Sequence, residues 1–313
     1  MNKQYHTIII GAGVAGMTAA LYLKRAGINV LLIEKEAPGG QVIKTAKIEN
    51  YPGILEIEGP ELAMKMYEQV TKLEVPFLFE EVKIVEKNQE KITVTTSNEQ
   101  LSCQNLVIAT GREPRKLGIE NEEKLTGKGI SWCAICDGPL YRNKDVAVIG
   151  GGRAAVEEAI YLSKLCNKVT LIHRKDSFRA EEPLVDDLKS RSNIEVITPD
   201  TVVKFVPKEG KLDKLVLESG RELTVDGCFE FIGQVPMTEI FRPLGIVNPA
   251  TNYIEVDENL QTAIPNIYAC GDCLDKDLYQ IVTACSEGAI VADHILKDCL
   301  LYTSPSPRDK RQS

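Results

Sequence analysis

Residues 7–16 read TIIIGAGVAG, an apolar strand that runs directly into a glycine-rich loop. Gly11, Gly13 and Gly16 have the spacing of a dinucleotide-binding turn. The first glycine permits a tight turn, the second lets backbone approach a pyrophosphate, and the third lets helix pack closely on strand. A helix and a second strand are predicted next, ending at Glu34, an acid placed to bind a ribose diol. The stretch predicts an α/β fold that opens with a Rossmann-type unit.

The same plan occurs a second time. A strand over 145–149 enters the loop Gly150-Gly151-Gly152, and a helix is predicted from Val156. The next strand, 168–172, is followed by basic residues instead of an acid. Arg174, Lys175 and Arg179 are suited to pair with a 2′-phosphate, which a carboxylate would repel. The contrast favours FAD at the first loop and NADPH at the second. A solvated basic turn is the alternative interpretation.

Between the two loops lies Cys133-Ala134-Ile135-Cys136-Asp137. A Cys-x-x-Cys pair alone occurs in redox sites, in zinc sites and by chance. Its position between two dinucleotide loops indicates an electron path from pyridine nucleotide to flavin to disulfide. Asp137 adds a proton donor, which the reduction of a disulfide to two thiols requires. The combination predicts an oxidoreductase.

Both halves carry a strand-rich insert, near 75–108 and near 200–232, before a turn of small residues. We therefore expect two Rossmann-like domains, each three-layered with a β-meander insert, the nicotinamide domain being inserted into the FAD domain. The predicted boundaries are 1–114 and 244–298 for the FAD domain and 115–243 for the nicotinamide domain. Residues 299–313 resemble a translated sequencing adapter and are expected to be either foreign sequence or a disordered tail.

Charge and composition exclude several classes of protein. The formal net charge of −8 argues against general nucleic-acid binding, which needs a clustered basic face. No apolar run approaches the roughly 20 residues that span a bilayer. A strand begins almost at the first residue, which leaves no room for a signal peptide. Nine cysteines without a leader indicate the reducing cytoplasm, where a paired dithiol is catalytic or metal-binding more often than structural.

Taken in order, the motifs resemble those of the bacterial-type, low-molecular-weight NADPH-dependent thioredoxin reductases, from Tyr5 to about Lys297. They are 11–16, 39–41, 109–111, 133–137, 150–159, 173–180 and 271–272. The resemblance implies a homodimer that uses FAD and NADPH, needs no metal, and reduces thioredoxin or a thioredoxin-like protein.

The resemblance also implies residue roles. Cys136 would face the flavin, Cys133 would attack the partner disulfide, and Asp137 would donate or relay protons. The implied FAD contacts are Gly11, Gly13, Gly16, Glu34, Gly40, Gln41, Asn50, Ala109, Thr110, Gly111, Gly271, Asp272 and Gln280. The implied NADPH contacts are Gly150, Gly152, Arg153, Ala155, His173, Arg174, Lys175 and Arg179.

Some positions depart from the family pattern. Arg153 and Ala154 replace the usual polar residue and serine of the second loop, and Tyr279 replaces an arginine before the last helix. Loss of a hydroxyl removes a phosphate contact, for which Arg153 would compensate in charge. NADH or ferredoxin therefore stays open as the donor, and a peroxidase-linked protein as the acceptor.

Other cysteines keep a different class of protein open. Cys270 and Cys273 form a second Cys-x-x-Cys, which we interpret as buried small hydrophobic residues. The alternatives are an auxiliary redox pair or a zinc site formed with Cys133 and Cys136. Cys103, Cys166, Cys228 and Cys285 are also interpreted as buried small hydrophobic residues. A metal-binding or redox-sensing protein is the alternative that these cysteines support. Trp132, the single tryptophan, is expected either in a docking surface or in the core.

Overall fold

The computed structural model describes residues 4–45, 47–88 and 91–303, with backbone only for 300–303. The chain forms two compact units. The first contains the described residues before Lys44, then Pro60–Glu113, and those from Val235 onward; the second contains Lys44–Gly59 and Pro114–Gln234. One unit is thus inserted in the other, as predicted. Residues 44–59, which the sequence assigned to the first domain, group with the second unit.

The strands are short and follow one another closely. In chain order they are β1 (Gln4–Ile10), β2 (Val30–Glu34), β3 (Phe77–Phe79), β4 (Val82–Asn88), β5 (Lys91–Thr96), β6 (Gln100–Ile108), β7 (Arg112–Pro114), β8 (Ile130–Ser131), β9 (Asp145–Ile149), β10 (Lys168–Ile172), β11 (Ile194–Ile197), β12 (Val202–Lys208), β13 (Lys211–Leu217), β14 (Glu222–Thr224), β15 (Gly227–Glu230), β16 (Gln234–Pro236) and β17 (Ile267–Ala269). The α-helices are α1 (Val14–Arg25), α2 (Gly59–Thr71), α3 (Glu122–Leu125), α4 (Ala134–Asp137), α5 (Arg153–Ser163), α6 (Glu182–Ser190) and α7 (Ile281–Thr303).

The first unit is built on one sheet in the order β3-β2-β1-β6-β5-β4, with β17 also pairing with β6. The strands β1, β2, β3, β6 and β17 run parallel, whereas β4 and β5 add the antiparallel insert. Ile8, Ile9 and Ile10 are buried because helices and insert cover both faces of a parallel sheet, which explains the continuous apolar run. The helix α1 follows β1 and packs against α7.

The second unit has a parallel sheet in the order β11-β10-β9-β15-β8 and a separate meander, β12-β13-β14. One apolar core lies between the sheet and the meander and includes Phe205 and Leu215. Another lies between the sheet and the helices α5 and α6 and includes Val156 and Leu188. The unit therefore has three layers, which confirms the predicted architecture.

The elements beside the two loops match the sequence prediction closely. The strands β9 and β10 have the predicted bounds, while α5 begins at Arg153, three residues earlier than the sequence suggested. The reason is that Gly152, in extended conformation, already serves as the helix N-cap. Among the described residues, no helix combines the length and apolarity needed to cross a membrane.

Candidate active site

The first glycine loop joins β1 to α1 and leaves no room for larger residues at two of its three glycines. Gly11 has φ +104°, and a Cβ there would lie 2.3 Å from the carbonyl oxygen of Ala109. A Cβ on Gly16 would lie 1.9 Å from the carbonyl oxygen of Gly11. Gly13, in contrast, has no atom within 4 Å of its would-be Cβ. The space beside Gly13 is the cradle that a pyrophosphate needs.

The end of β2 and the following turn close around this loop. Oε2 of Glu34 accepts the N–H of Ala12 at 2.8 Å, so the predicted ribose ligand also braces the loop. The N–H of Gly39 donates to the carbonyl of Ala12 at 2.8 Å, and a Cβ on Gly40 would lie 3.3 Å from Cα of Gly13. The backbone of residues 39–40 therefore passes directly over the loop. Both residues have positive φ angles, a conformation that favours glycine.

More predicted flavin residues gather at the carboxyl ends of β6 and β17, in the same unit. Gln41 donates a hydrogen bond to the carbonyl of Arg112, and Gly111, with φ +69°, accepts the N–H of Met237 at 3.0 Å. The hydroxyl of Thr110 is buried and has no hydrogen-bond partner among the described residues. The orphaned hydroxyl and the open cradle at Gly13 together fit a polar ligand bound in this unit.

The Gly271-Asp272 turn is held by charged neighbours. The N–H of Gly271 donates to Oε2 of Glu287 at 2.7 Å, and Nζ of Lys276 lies 2.8 Å from the other oxygen of Glu287. Asp272 lies between two cations, 3.8 Å from Nε of Arg112 and 3.6 Å from Nζ of Lys276. These contacts fix the turn that follows β17 and leads toward α7.

Tyr279 stands where the family pattern has an arginine, and the structure supplies a cation from elsewhere. The guanidinium carbon of Arg112 lies 3.3 Å from the centre of the Tyr279 ring, a cation–π contact. The sequence analysis noted Tyr279 but missed Arg112, because the two are distant along the chain. Gln280 precedes α7 and its N–H donates to Oγ1 of Thr283 at 3.1 Å. Asn50 groups with the second unit, unlike the other predicted FAD contacts.

The second glycine loop repeats this geometry in the other unit. Gly150 has φ +151°, and a Cβ there would lie 2.5 Å from the carbonyl oxygen of Phe231. A Cβ on Gly151 would collide with the imidazole of His173 at 2.1 Å. Beneath the loop, Ala155 is fully buried. These close approaches explain the glycines at 150 and 151.

The predicted 2′-phosphate residues lie beside the second loop. The N–H of Arg179 donates to the carbonyl of Gly151 at 2.8 Å, which ties the basic segment to the loop. The side chains of Arg174, Lys175 and Arg179 are exposed. His173 is buried and stacks on Phe178, and its Nε2 has no hydrogen-bond partner among the described residues. Burial, and then the nearby cations, lower the pKa of His173, so the ring is neutral at physiological pH.

Arg153 is engaged by acids. Its guanidinium lies 2.7 Å from Glu157 and 3.0 Å from Glu181, and its side chain is 65% exposed. Exposed ion pairs of this kind contribute little to stability, but the two carboxylates offset the positive charge of the arginine. The positive charge available near the loop therefore resides mainly in Arg174, Lys175 and Arg179. The predicted phosphate contact of Arg153 stays a prediction.

The cysteine pair sits on a short helical turn at the end of β8. Cys133 and Cys136 form a disulfide with Cα atoms 5.3 Å apart, and both are half-buried. The N–H of Cys136 donates to Sγ of Cys133 at 3.2 Å, and the N–H of Cys133 donates to Oγ of Ser131 at 3.1 Å. A donor on the Cys133 sulfur favours the thiolate there over the thiol.

The dithiol and the second loop share one edge of the parallel sheet. The strand β8 runs into Cys133, β9 into Gly150, and β10 into His173, and all three strands are parallel. In open α/β sheets the carboxyl ends of parallel strands form the ligand crevice. The disulfide and the nucleotide loop therefore belong to one functional edge of this unit.

Asp137 is suited to carry a proton beside the disulfide. Its side chain is 8% exposed, and Oδ1 has no hydrogen-bond partner among the described residues. Burial raises the pKa of Asp137, and the Ser131 hydroxyl opposes the shift by hydrogen bonding. A carboxyl group in this environment keeps its proton to higher pH than an exposed one.

Two buried acids near the dithiol gave no signal in the sequence. Glu230, at the end of β15, is 1% exposed and accepts the indole N–H of Trp132 at 3.2 Å. Glu122, on α3, is 2% exposed. Trp132 is half-buried and packs on the core between sheet and meander. Of the two alternatives for Trp132, this packing favours a place in the core. The hydrogen bond between Trp132 and Glu230 joins residues 98 positions apart, so no local sequence pattern reveals it.

Most of the other cysteines are packing residues. Cys103, Cys166, Cys228, Cys270 and Cys273 are all buried. Burial raises the pKa of Cys103 and Cys273 to about 12 and that of Cys166 to about 11, so these thiols are protonated and unreactive. Cys285 is only half-buried, and the prediction that it is buried was wrong. Within the described ranges, no three His, Cys, Asp or Glu residues converge on a possible metal position.

Comparison with known proteins gives one consistent result. Residues 5–288 match the pyridine nucleotide-disulphide oxidoreductase family. The chain is 44% identical over 300 residues to the thioredoxin reductase of Ureaplasma parvum, covering 93% of this chain and 96% of that protein. It is 41% identical over 301 residues to the thioredoxin reductase of Listeria innocua, covering 95% and 94%. The crystal structure of thioredoxin reductase from Streptococcus pyogenes superposes with a TM-score of 0.92 at 39% identity, covering 96% of this chain and all of that one.

Proposed function

Because the chain belongs to the pyridine nucleotide-disulphide oxidoreductase family, and within it to the thioredoxin reductases, we propose that it reduces thioredoxin with electrons from NADPH. FAD and the Cys133–Cys136 pair are the carriers in between. The observation that carries the proposal is the disulfide on the functional edge of the second unit, with the buried Asp137 beside it. We further propose that it acts in the cytoplasm as a homodimer.

Two nucleotides fit the two loops. The cradle at Gly13, the orphaned hydroxyl of Thr110 and the carboxylate of Glu34 support FAD in the first unit. The exposed cations Arg174 and Lys175 beside the second loop support a nucleotide with a 2′-phosphate in the second unit. When bound, FAD would supply the two-electron chemistry that links a nicotinamide to a disulfide.

The chain's own residues perform the thiol chemistry. Reduction of the Cys133–Cys136 disulfide consumes two electrons and two protons, and Asp137, whose pKa burial raises, would deliver one of the protons. The Cys133 thiolate then attacks a sulfur of the partner disulfide, forming a mixed disulfide and releasing one partner thiol. Cys136 attacks the mixed disulfide, restores the Cys133–Cys136 bond and releases the second thiol. The hydrogen bond from the N–H of Cys136 to the Cys133 sulfur supports Cys133 as the attacking group.

A coupled assay tests this function directly. The flavin-loaded chain, given a panel of thioredoxins, is expected to oxidise NADPH only when an oxidised thioredoxin is present. Reduction of the flavin by NADPH, by NADH and by reduced ferredoxin is followed in parallel by stopped-flow absorbance. If ferredoxin reduces the flavin and neither pyridine nucleotide does, the proposed donor is wrong.

The 2′-phosphate assignment predicts a selective loss. Arg174→Ala is expected to raise the KM for NADPH about 10- to 100-fold, because a charge-assisted hydrogen bond contributes about 1.5–3 kcal/mol. The KM for NADH should stay nearly constant, since NADH lacks the phosphate. Arg191→Ala is the matched control: Arg191 lies in the same unit and pairs with Asp187. Equal effects of Arg174→Ala on both nucleotides would remove the argument for NADPH.

A further inference from the structure

A side-chain hydrogen bond continues the pairing of β8 with its neighbour β15 at the point where the backbone pairing ends. The strand β8 pairs in parallel with β15, and Phe229 lies opposite Ser131 as the last backbone pair. In the same register the next pair is Glu230 and Trp132. There the backbone ladder stops, and the indole Nε1–H of Trp132 donates to Oε2 of Glu230 at 3.2 Å. The contact therefore extends the pairing of β8 by one residue toward the dithiol.

Glu230 acts in this contact as an uncharged carboxylic acid. Its neighbour Glu122 accepts three backbone N–H groups of residues 117–119, at 2.7–3.2 Å. Burial and then Glu122 raise the pKa of Glu230 to about 9, against opposing effects of Trp132 and Lys116. Oε1 of Glu230 has no hydrogen-bond partner among the described residues, so no donor there stabilises a negative charge.

Two other titratable groups near Glu230 in the described part of the chain do not favour its ionised form strongly. Cys228, on the same strand, is fully buried, and burial raises its pKa well above the usual value, so it is a neutral thiol. Lys116 is ion-paired with Glu123 at 2.7 Å. A neutral Glu230 between the Glu122 carboxylate and the Trp132 indole is therefore the arrangement with the least uncompensated charge.

Each of the three residues from the end of β8 to the first cysteine of the disulfide has its own restraining contact. Ser131 is fixed by the sheet, Trp132 by Glu230, and Cys133 by its N–H bond to Oγ of Ser131 at 3.1 Å. Trp132 is bonded directly to Cys133, so a shift of the Trp132 backbone, which the buried indole contact restrains, would also displace the Cys133 sulfur. The attack of a thiolate on a disulfide needs alignment of three sulfurs, and misplacement is costly.

The geometry points to Glu230 as a positioning residue: its carboxyl group fixes the Trp132 indole and, through it, the orientation of the Cys133 sulfur toward the partner disulfide. The inference rests on the proposed function, because that function makes Cys133 the attacking thiol. Glu230 neither gives nor takes a proton in the reaction. Trp132 is the only tryptophan of the chain, so tryptophan emission reports on the surroundings of this one side chain.

The test compares Glu230→Leu, which removes the acceptor, with Glu230→Gln, which keeps an oxygen for the indole and an N–H for Glu122. In Glu230→Leu, emission should move to longer wavelength, acrylamide should quench it more, and kcat/KM for thioredoxin should fall about 10-fold. Glu230→Gln should restore both properties. Asp200→Asn is the matched control: Asp200 is also buried in this unit, and its carboxylate accepts the Ser219 hydroxyl, so emission should not change.

A double-mutant cycle separates positioning from general damage. With Trp132→Phe in place, Glu230→Leu should cause little further loss of kcat/KM, because the group through which Glu230 acts is gone. An equal loss in both backgrounds would overturn the inference, as would wild-type emission in Glu230→Leu. If the wild-type chain reduces no thioredoxin, the proposed function fails, while the emission measurements still decide whether Glu230 holds Trp132.

The pH dependence provides a second readout with a defined sign. Below pH 9 Glu230 keeps its proton and the contact is intact. As pH rises through about 9 the proton leaves. The indole N–H by itself favours a charged acceptor, but burial and repulsion from Glu122 are the larger effects, so the Glu230 carboxylate should move away from its buried place and the indole should loosen. Wild-type emission should therefore shift to longer wavelength across this range, and that of Glu230→Gln should not. A shift of equal size in Glu230→Gln would contradict the assignment.

Discussion

Replacing Cys133 or Cys136 with serine is expected to lower thioredoxin reduction at least about 10³-fold, the scale of loss seen when a covalent nucleophile is removed. A single remaining thiol cannot store two electrons as a dithiol or close the Cys133–Cys136 disulfide. Flavin should stay bound, because all the predicted flavin contacts except Asn50 belong to the first unit, whereas both cysteines belong to the second. NADPH should still bleach the flavin in a single turnover.

The two variants should also differ from each other. Cys136→Ser keeps the attacking thiol, so it should accumulate a mixed disulfide with thioredoxin, visible on a non-reducing gel and released by dithiothreitol. Cys133→Ser should trap little or none. Cys285→Ser is the control, since Cys285 is half-buried like the pair but lies on α7. Undiminished turnover in either active-site variant would refute the assignment, and trapping by Cys133→Ser alone would reverse the two roles.

The parts of the site that the sequence predicts are those that backbone geometry dictates. Gly11 and Gly150 have positive φ angles and backbone within 2.5 Å of a would-be Cβ, so only glycine fits, and the pattern is legible without a structure. The strands beside them are buried on both faces and read as short apolar runs. Fold class and nucleotide loops follow from these local constraints.

The parts that it does not predict depend on distant pairs. Arg112 lies over Tyr279, and Glu230 accepts from Trp132, although neither pair is near in sequence. A buried glutamate at the end of a strand looks like an ordinary polar residue until its neighbours are known. The grouping of 44–59 with the second unit has the same origin, since it depends on contacts and not on composition.

Substitution of the glycines of the first loop is the second change for which we expect a large effect. The result at each glycine depends on the space that a Cβ atom would find there. Gly16→Ala puts a Cβ 1.9 Å from the carbonyl oxygen of Gly11 and 3.3 Å from Cβ of Ala109. Both neighbours belong to the packed loop and sheet, so α1 must move. We expect the first unit to lose about 3 kcal/mol of unfolding free energy or more, the upper range for overpacking. FAD should be lost with it.

Gly13→Ala is the matched variant that separates cofactor space from packing. A Cβ on Gly13 meets no protein atom within 4 Å, and its φ of −73° suits alanine. The unfolding free energy should therefore change by no more than about 0.5 kcal/mol. The same Cβ would occupy the place into which we expect the pyrophosphate of FAD to fit, so affinity for FAD should fall while the fold survives. Thermal unfolding of the flavin-free chain and titration with FAD measure the two effects independently. Unchanged FAD affinity in Gly13→Ala would mean that the open space beside Gly13 is not where the phosphates lie.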